Sequence, residues 1–379
     1  MSSLDTRVPV SLLTGFLGAG KTTLLNQLVL DPDAGRVAVI MNEFGAAGLD
    51  HDLLEASVEE IILMQSGCLC CTFRGDISNT LRSLLERRER REVFFDRVVI
   101  ETTGIADPGP ILHTLVVDNL IAPHYRMDGV VTVADAATGP ETLNTHFEAA
   151  NQIAVADLIV VTKSDLVERD RSAAFEESVK NLNNTAPLVY AEHGRVPQGS
   201  LFNLSAMHED AASDDVSRWL GDVDSKHERH GKEESPNPES PVGSSAASAH
   251  SIVSKSLEIS APIPPSTFQL WLDFFVALKG PDILRMKGII HIKGMERPFV
   301  IHGVQHIFDA PVPLSAWSGN DETSRIVVIA RNMSEGHLND NLAMLIQSKP
   351  DDTATIASER AAESTEVSLQ GVSSHEISV

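Results

Sequence analysis

A doubly wound, mostly parallel α/β domain followed by a smaller α+β domain is the fold class this 379-residue sequence predicts. Three observations carry that prediction. Near-continuous apolar runs, among them "RVPVSLL", "MDGVVTVAD" and "ADLIVVTKSD", mark strands buried on both faces. Helical patterns alternate with them at the spacing of a wound sheet. The glycine-rich "GFLGAGKT" falls between the first strand and the first helix.

The elements follow in order. Strand-like "RVPVSLL" starts at Arg7, and "TLLNQLVL" is helical. "RVAVIM" (36–41) and "VEEIILM" (58–64) are the next strands, and 75–92 reads as an amphipathic helix with a charged outer face. "FDRVVIE" (95–101) is a strand, and "GPILHTLVVD" a helix with Pro110 near its start, where proline is tolerated. Strands at 127–135 and 156–165 come with helices near 144–155 and 168–183. The first domain spans roughly 5–221.

Residues 222–250 are acidic and rich in Ser and Pro, the composition of a linker. A second unit is expected over 251–347. There "SIVSKSLEI", "GIIHIKG", "PFVIHGVQHIF" and "RIVVIA" read as strands. Leu270, Trp271, Phe274, Phe275 and Leu278 fall on one face of a helix, and "SEGHLNDNLAMLIQS" closes the unit as another. Residues 348–379 lack periodicity and read as a disordered acidic tail.

The net charge of −23 argues against nucleic acid or an anionic membrane as partner. A strand starting at Arg7 leaves no room for a secretory signal. The three cysteines lie within four positions, which is no disulfide framework. A reducing compartment, the cytoplasm, is the expectation.

Gly15, Gly20, Lys21 and Thr22 fit G-x-x-x-x-G-K-[ST] in the strand–loop–helix context that the pattern needs. Glycines let successive backbone N–H groups point at phosphate oxygens, and the helix aims its positive end at the same anion. Lys21 would reach the β- and γ-phosphates, and the Thr22 hydroxyl would ligate Mg²⁺. A glycine-rich turn with a chance lysine is the bland alternative.

"VVIETTGIADPGP" puts Glu101 at a strand C-terminus, where it can reach the Mg²⁺ shell. Gly104 would leave a bare N–H near the γ-phosphate, making 102–109 the natural γ-phosphate sensor. An ordinary strand-ending acid with a turn is the alternative.

"VVTKSD" speaks to the base. A carboxylate at Asp165 would accept from guanine N1–H and the N2 amino group, and would penalise adenine. Lys163 would lay its stem along the base plane. The usual guanine motif begins with Asn, and here Thr162 stands in that place. Ser205-Ala206 is a candidate for completing the base pocket.

Cys68, Cys70 and Cys71 form a C-x-C-C cluster of soft ligands suited to Zn²⁺, with Cu(I) as another fit. On an extended strand the neighbours Cys70 and Cys71 would face apart, so a turn must bring them together. The fourth ligand stays open: Glu43, a histidine, water or a partner. Small apolar core residues and a redox thiol pair are the competing readings. His227 and His230 read as part of a solvated acidic loop. His291, His302 and His306 read as strand residues with polar partners.

Together "LLTGFLGAGKTTLLNQLV", "VIMNEFG", "SGCLCC", "VVIETTGIADPGPI", "VVTVADA" and "ADLIVVTKSDL" resemble the CobW-type P-loop GTPases, metal-chaperone-like and zinc-regulated metalloprotein activators. "LRMKGIIHIKG" and "FVIHGVQHIFD" are similar to that family's C-terminal domain, so the resemblance covers about 7–347. It implies a GTPase that binds GTP with Mg²⁺, holds Zn²⁺ or a related metal, and delivers it to a client protein. It assigns Gly18, Ala19, Gly20, Lys21, Thr22 and Thr23 to the phosphate loop, Glu101 to Mg²⁺, Asp165 to the base, and Cys68, Cys70 and Cys71 to the metal. Two departures are Thr162, and Met41 where some relatives place an acid that can join the metal site.

Glu43 is the candidate to orient the attacking water, and turnover is expected to be slow, since no catalytic arginine is identifiable. A nucleotide-gated metal sensor with incidental hydrolysis is the alternative function. A small-molecule kinase would explain Lys21 and Thr22 but leave the cysteines and Asp165 without a role.

Overall fold

The computed structural model describes residues 5–31, 34–42, 61–64, 74–205, 216, 219–221, 252–305, 307–308, 311–314, 317 and 321–347. Cys68, Cys70, Cys71, Glu43, His227, His230 and His306 lie outside them.

Among the described residues the first sheet has seven strands: β1 (Val8–Gly15), β2 (Val37–Asn42), β3 (Ile61–Met64), β4 (Arg97–Glu101), β5 (Tyr125–Asp135), β6 (Leu158–Thr162) and β7 (Leu188–Tyr190). Their order is β3-β2-β4-β1-β5-β6-β7, and every neighbouring pair is parallel. Parallel pairing needs crossovers, supplied by α1 (Lys21–Val29), α2 (Arg74–Glu89), α3 (Gly109–Val117), α4 (Gly139–Thr145), α5 (Phe147–Ala154) and α6 (Arg169–Leu182). The apolar runs are buried as a two-sided sheet requires: Val10, Leu12, Ile100, Val130 and Val160 are inaccessible to solvent.

Register sets the functional edge. Leu13 pairs with Glu101, Met41 with Glu101, and Asn42 with Met64. The C-termini of β1, β4, β2 and β3 therefore end side by side. Met64 stands four positions before Cys68 in the sequence, and β3, which ends there, ends at the same edge as the phosphate loop.

The second sheet is antiparallel, in the order β11-β10-β9-β13-β8 with β12 paired to β10. Its strands are β8 (Ile252–Ile259), β9 (Ile283–Ile290), β10 (Phe299–Val304), β11 (Ile307–Phe308), β12 (Val312–Pro313) and β13 (Ser324–Arg331). Helices α7 (Pro265–Lys279) and α8 (Glu335–Gln347) complete the unit. Trp271 and Phe275 are buried, stacked at 5.3 Å, and pack in one cluster with Ile326, Val328, Leu338 and Leu342. Leu270 and Phe274, expected on the same face, are 62% and 46% exposed. Each precedes a buried aromatic by one residue, a rotation of about 100° that turns it off the sheet.

The two sheets share an interior. Ile252, Leu284, Val304 and Ile329 of the second pack in one cluster with Val10, Leu12, Ile111 and Leu115 of the first. A buried charge cluster sits at this junction. Asp157 pairs with Arg285, and Lys287 Nζ is 3.2 Å from Asp157 Oδ1. Burial alone would raise the Asp157 pKa, and the Arg285 and Lys287 charges overcome it and hold the carboxyl well below its usual value. Burial pushes the Lys287 ammonium down to about 8.

No helix among the described residues is long and apolar enough to cross a membrane.

Candidate nucleotide and metal site

The loop between β1 and α1 is built on glycines: Gly15 leaves no room for a side chain, and Gly18 and Gly20 adopt a backbone conformation in which one is strained. Gly15 has φ 141°, and a Cβ there would lie 2.3 Å from Val133 O. Gly18 and Gly20 also have positive φ, 75° and 99°. Lys21 is nearly buried, and its ammonium donates to Gly15 O at 2.8 Å and Phe16 O at 3.2 Å. A cation thus sits inside the turn, at the N-terminus of α1, where an anion is also favoured.

Thr22 and Glu101 meet. The Thr22 hydroxyl donates to Glu101 Oε1 at 2.9 Å, and Glu101 is buried. A hydroxyl and a carboxylate beside a phosphate loop are hard oxygen donors of the kind Mg²⁺ takes. The residues present fit that ion.

The loop after β4 lies against the phosphate loop. A Cβ on Gly104 would fall 2.5 Å from Leu17 N, so only glycine allows this approach. Thr102 donates from its hydroxyl to Thr14 Oγ1 at 2.9 Å. Gln152 on α5 donates from Nε2 to Gly104 O at 3.2 Å and Ala106 O at 3.1 Å.

On the far side, Thr162 donates from Oγ1 to Ala19 O at 2.8 Å. Lys163 has φ 56° and donates from Nζ to Gly18 O at 2.8 Å and Asp135 Oδ2 at 2.7 Å. Both residues therefore tie the end of β6 to the phosphate loop. Asp135 also accepts from Ala137 N at 2.8 Å. Its burial acts to raise the pKa, but Lys163 and the amide hold it below the usual range. Asp165 is exposed at the mouth, in the Ser164–Leu166 turn.

The Ser205-Ala206 candidate falls at the limit of the described stretch 74–205. Leu204 packs on Gly129 and Asn203 N donates to Asp128 at 3.0 Å, both in the N-terminal half of β5, while Asp135 at its other end faces the phosphate loop. Ala206 lies outside the described residues. The segment after β7 returns to the functional edge: Ala191 N donates to Val161 O at 2.8 Å, and Gly194 lies against Thr23 and Gln27. Gly194 has φ 79°, and the glycine of "EHG" is the residue type that this turn favours.

Met41, singled out as standing where an acid can join a metal site, is buried in an apolar cluster with Leu13, Val39 and Val99. It is a core residue here. Among the described residues no group of three or more His, Cys, Asp and Glu side chains could hold a metal. The C-x-C-C cluster lies outside them.

Comparison with known proteins agrees with this layout. Residues 9–190 match the CobW/HypB/UreG nucleotide-binding domain, and residues 252–346 match the cobalamin synthesis protein cobW C-terminal domain. The chain is 30% identical over 329 residues to the zinc chaperone YjiA of Escherichia coli, covering 86% of this chain and 95% of that one. It is 31% identical over 374 residues to zinc-regulated GTPase metalloprotein activator 1 of Schizosaccharomyces pombe, covering 88% and 84%. The crystal structure of Zn(II)-bound YjiA GTPase superposes with a TM-score of 0.66 at 28% identity, over 89% of this chain and 99% of that one. With both halves matched and the phosphate loop built as described, the chain belongs to the CobW/HypB/UreG family of P-loop proteins.

Proposed function

We propose that the chain is a metallochaperone GTPase, which binds zinc or a similar transition metal as cargo and couples GTP binding and hydrolysis to its transfer to a client protein. One observation carries the reading. The phosphate loop, the Thr22–Glu101 pair and the strand that leads into the cysteines share one edge of one parallel sheet.

The roles follow from position. Gly15, Gly18, Ala19 and Gly20 supply backbone N–H groups to the phosphates, with Thr23 in the first turn of α1. Lys21 meets the β- and γ-oxygens. Thr22 and Glu101 would hold Mg²⁺, which when bound neutralises charge on the phosphates. Gly104 allows the loop 102–109 to reach the γ-phosphate. Thr162 and Lys163 brace the loop from the base side, and Asp165 accepts from a guanine edge. Cys68, Cys70 and Cys71 supply thiolates to the cargo metal, and Glu43 orients water. Thiolates need a reducing compartment, which supports a cytoplasmic location.

The test is zinc affinity of the reduced full-length chain, loaded with GTP and with GDP, in the native protein and in a Cys68→Ser, Cys70→Ser, Cys71→Ser triple variant. The variant is expected to lose at least about ten-fold in affinity, since each removed thiolate removes a strong ligand. The two nucleotide states are expected to differ. Equal affinity in all forms overturns the reading.

A further inference from the structure

The two sheets meet along α5. At its C-terminal end, Arg285 Nη1 of the second sheet donates to Val155 O at 2.8 Å. At its N-terminal end, the Arg331 guanidinium lies over the Phe147 ring at 5.6 Å. Between these anchors, Gln152 holds the carbonyls of Gly104 and Ala106, and Asn151 Nδ2 is 3.4 Å from Asp107 Oδ1. The loop 102–109 is thus gripped by a helix that the second sheet fixes at both ends.

A direct tie exists as well. Gln305 Nε2 lies 3.2 Å from Asp107 Oδ2 and 3.5 Å from Oδ1. Gln305 follows β10 in the short connection to β11 and has φ 55°, a left-handed conformation that costs a non-glycine residue free energy. Its side chain fills the space beside Gly109, where a Cβ would come within 2.6 Å of it. Asp107 also accepts from Gly109 N at 2.9 Å, which closes the turn into α3 without help. What Gln305 adds is a bond between that turn and the second domain.

We propose that Gln305 is a positioning residue for GTP hydrolysis, acting through Asp107 to hold the loop 102–109 against the phosphate loop. The second domain then takes part in setting the hydrolysis rate without touching nucleotide. The inference rests on 102–109 being the loop that meets the γ-phosphate.

The test uses the full-length chain as Gln305→Ala, Gln305→Glu, Asp107→Asn, and the swapped pair Asp107→Asn with Gln305→Glu, in which the amide donor and the carboxylate exchange sides. Gln305→Glu places like charges together and is expected to lower kcat about ten-fold, as small misplacements of reacting groups do, with KM for GTP changed less than about two-fold. Gln305→Ala is expected to lower kcat less, and to speed amide hydrogen exchange in 102–109 while β1 exchange and Tm stay as in the native chain. The swapped pair is expected to recover most of the kcat lost in Gln305→Glu. Native kcat in both Gln305 variants, no recovery in the swap, or a parallel fall of kcat and Tm overturns the proposal. Gly104→Ala separates the two layers: if it leaves hydrolysis intact, the loop reading fails, and if it abolishes hydrolysis while the Gln305 variants do not, only the proposal fails.

Discussion

At the scale of single residues, Thr162 shows how a departure from a motif can keep its mechanical part. Its hydroxyl reaches Ala19 O at 2.8 Å, so the end of β6 stays tied to the phosphate loop without an asparagine. On the function proposed above, base selection rests on Asp165. Asp165→Ala is expected to weaken GDP binding by about 2 kcal/mol, roughly thirty-fold, the value of a hydrogen-bonded charge, while ADP binding changes little. Calorimetric titration with both nucleotides measures it. The phosphate loop was legible in the sequence because its residues are contiguous and its glycines leave a fixed spacing. Asp107, Gln152 and Gln305 were not. Gln305 meets Asp107 across 198 positions, and no local pattern encodes a meeting at that range.

Among the elements, helix α7 separates apolar character from burial. Five large apolar residues were expected on one face: the sheet covers Trp271 and Phe275, Leu270 and Phe274 remain exposed, and the Leu278 side chain lies outside those described. Periodicity finds the helix, but the width of the stripe that a sheet covers depends on how the helix is docked. Trp271→Ala is expected to cost about 3–5 kcal/mol, and Leu270→Gln or Phe274→Gln less than about 0.5 kcal/mol, measured by urea unfolding. The base-side loop makes a similar point. That the segment after β7 returns to the functional edge at Ala191 and Gly194 depends on the path of the chain, and propensity carries no information about it. The strands themselves were legible from their continuous apolar runs, because a parallel sheet buries both faces.

For the molecule as a whole, the Asp157–Arg285–Lys287 cluster is a buried charged contact between the two sheets. Asp157→Asn leaves two buried cations with no compensating charge, and is expected to lower the unfolding free energy by about 3–5 kcal/mol near neutral pH. The sign with pH follows from its depressed pKa. The folded value lies below the ordinary 3.8, so the stabilisation is complete above about pH 5 and is lost as pH falls through 4 and below. The difference in urea midpoint between native chain and variant should therefore shrink from pH 5 to pH 2. A difference that stays constant over that range would contradict the assignment. None of the three residues announced this role in the sequence, where each reads as a charge flanking or interrupting a strand.

The position of β3 has a consequence for how the sheet opens. Among the described residues it is a rim strand of four, Ile61–Met64, paired with β2 alone, whereas β2, β4, β1, β5 and β6 each have two neighbours. Peeling it away breaks one short ladder and leaves the register of Glu101 with Leu13 untouched. The stretch that leads into the cysteines can thus come loose as a hem does, while the weave that holds the phosphate loop keeps its shape.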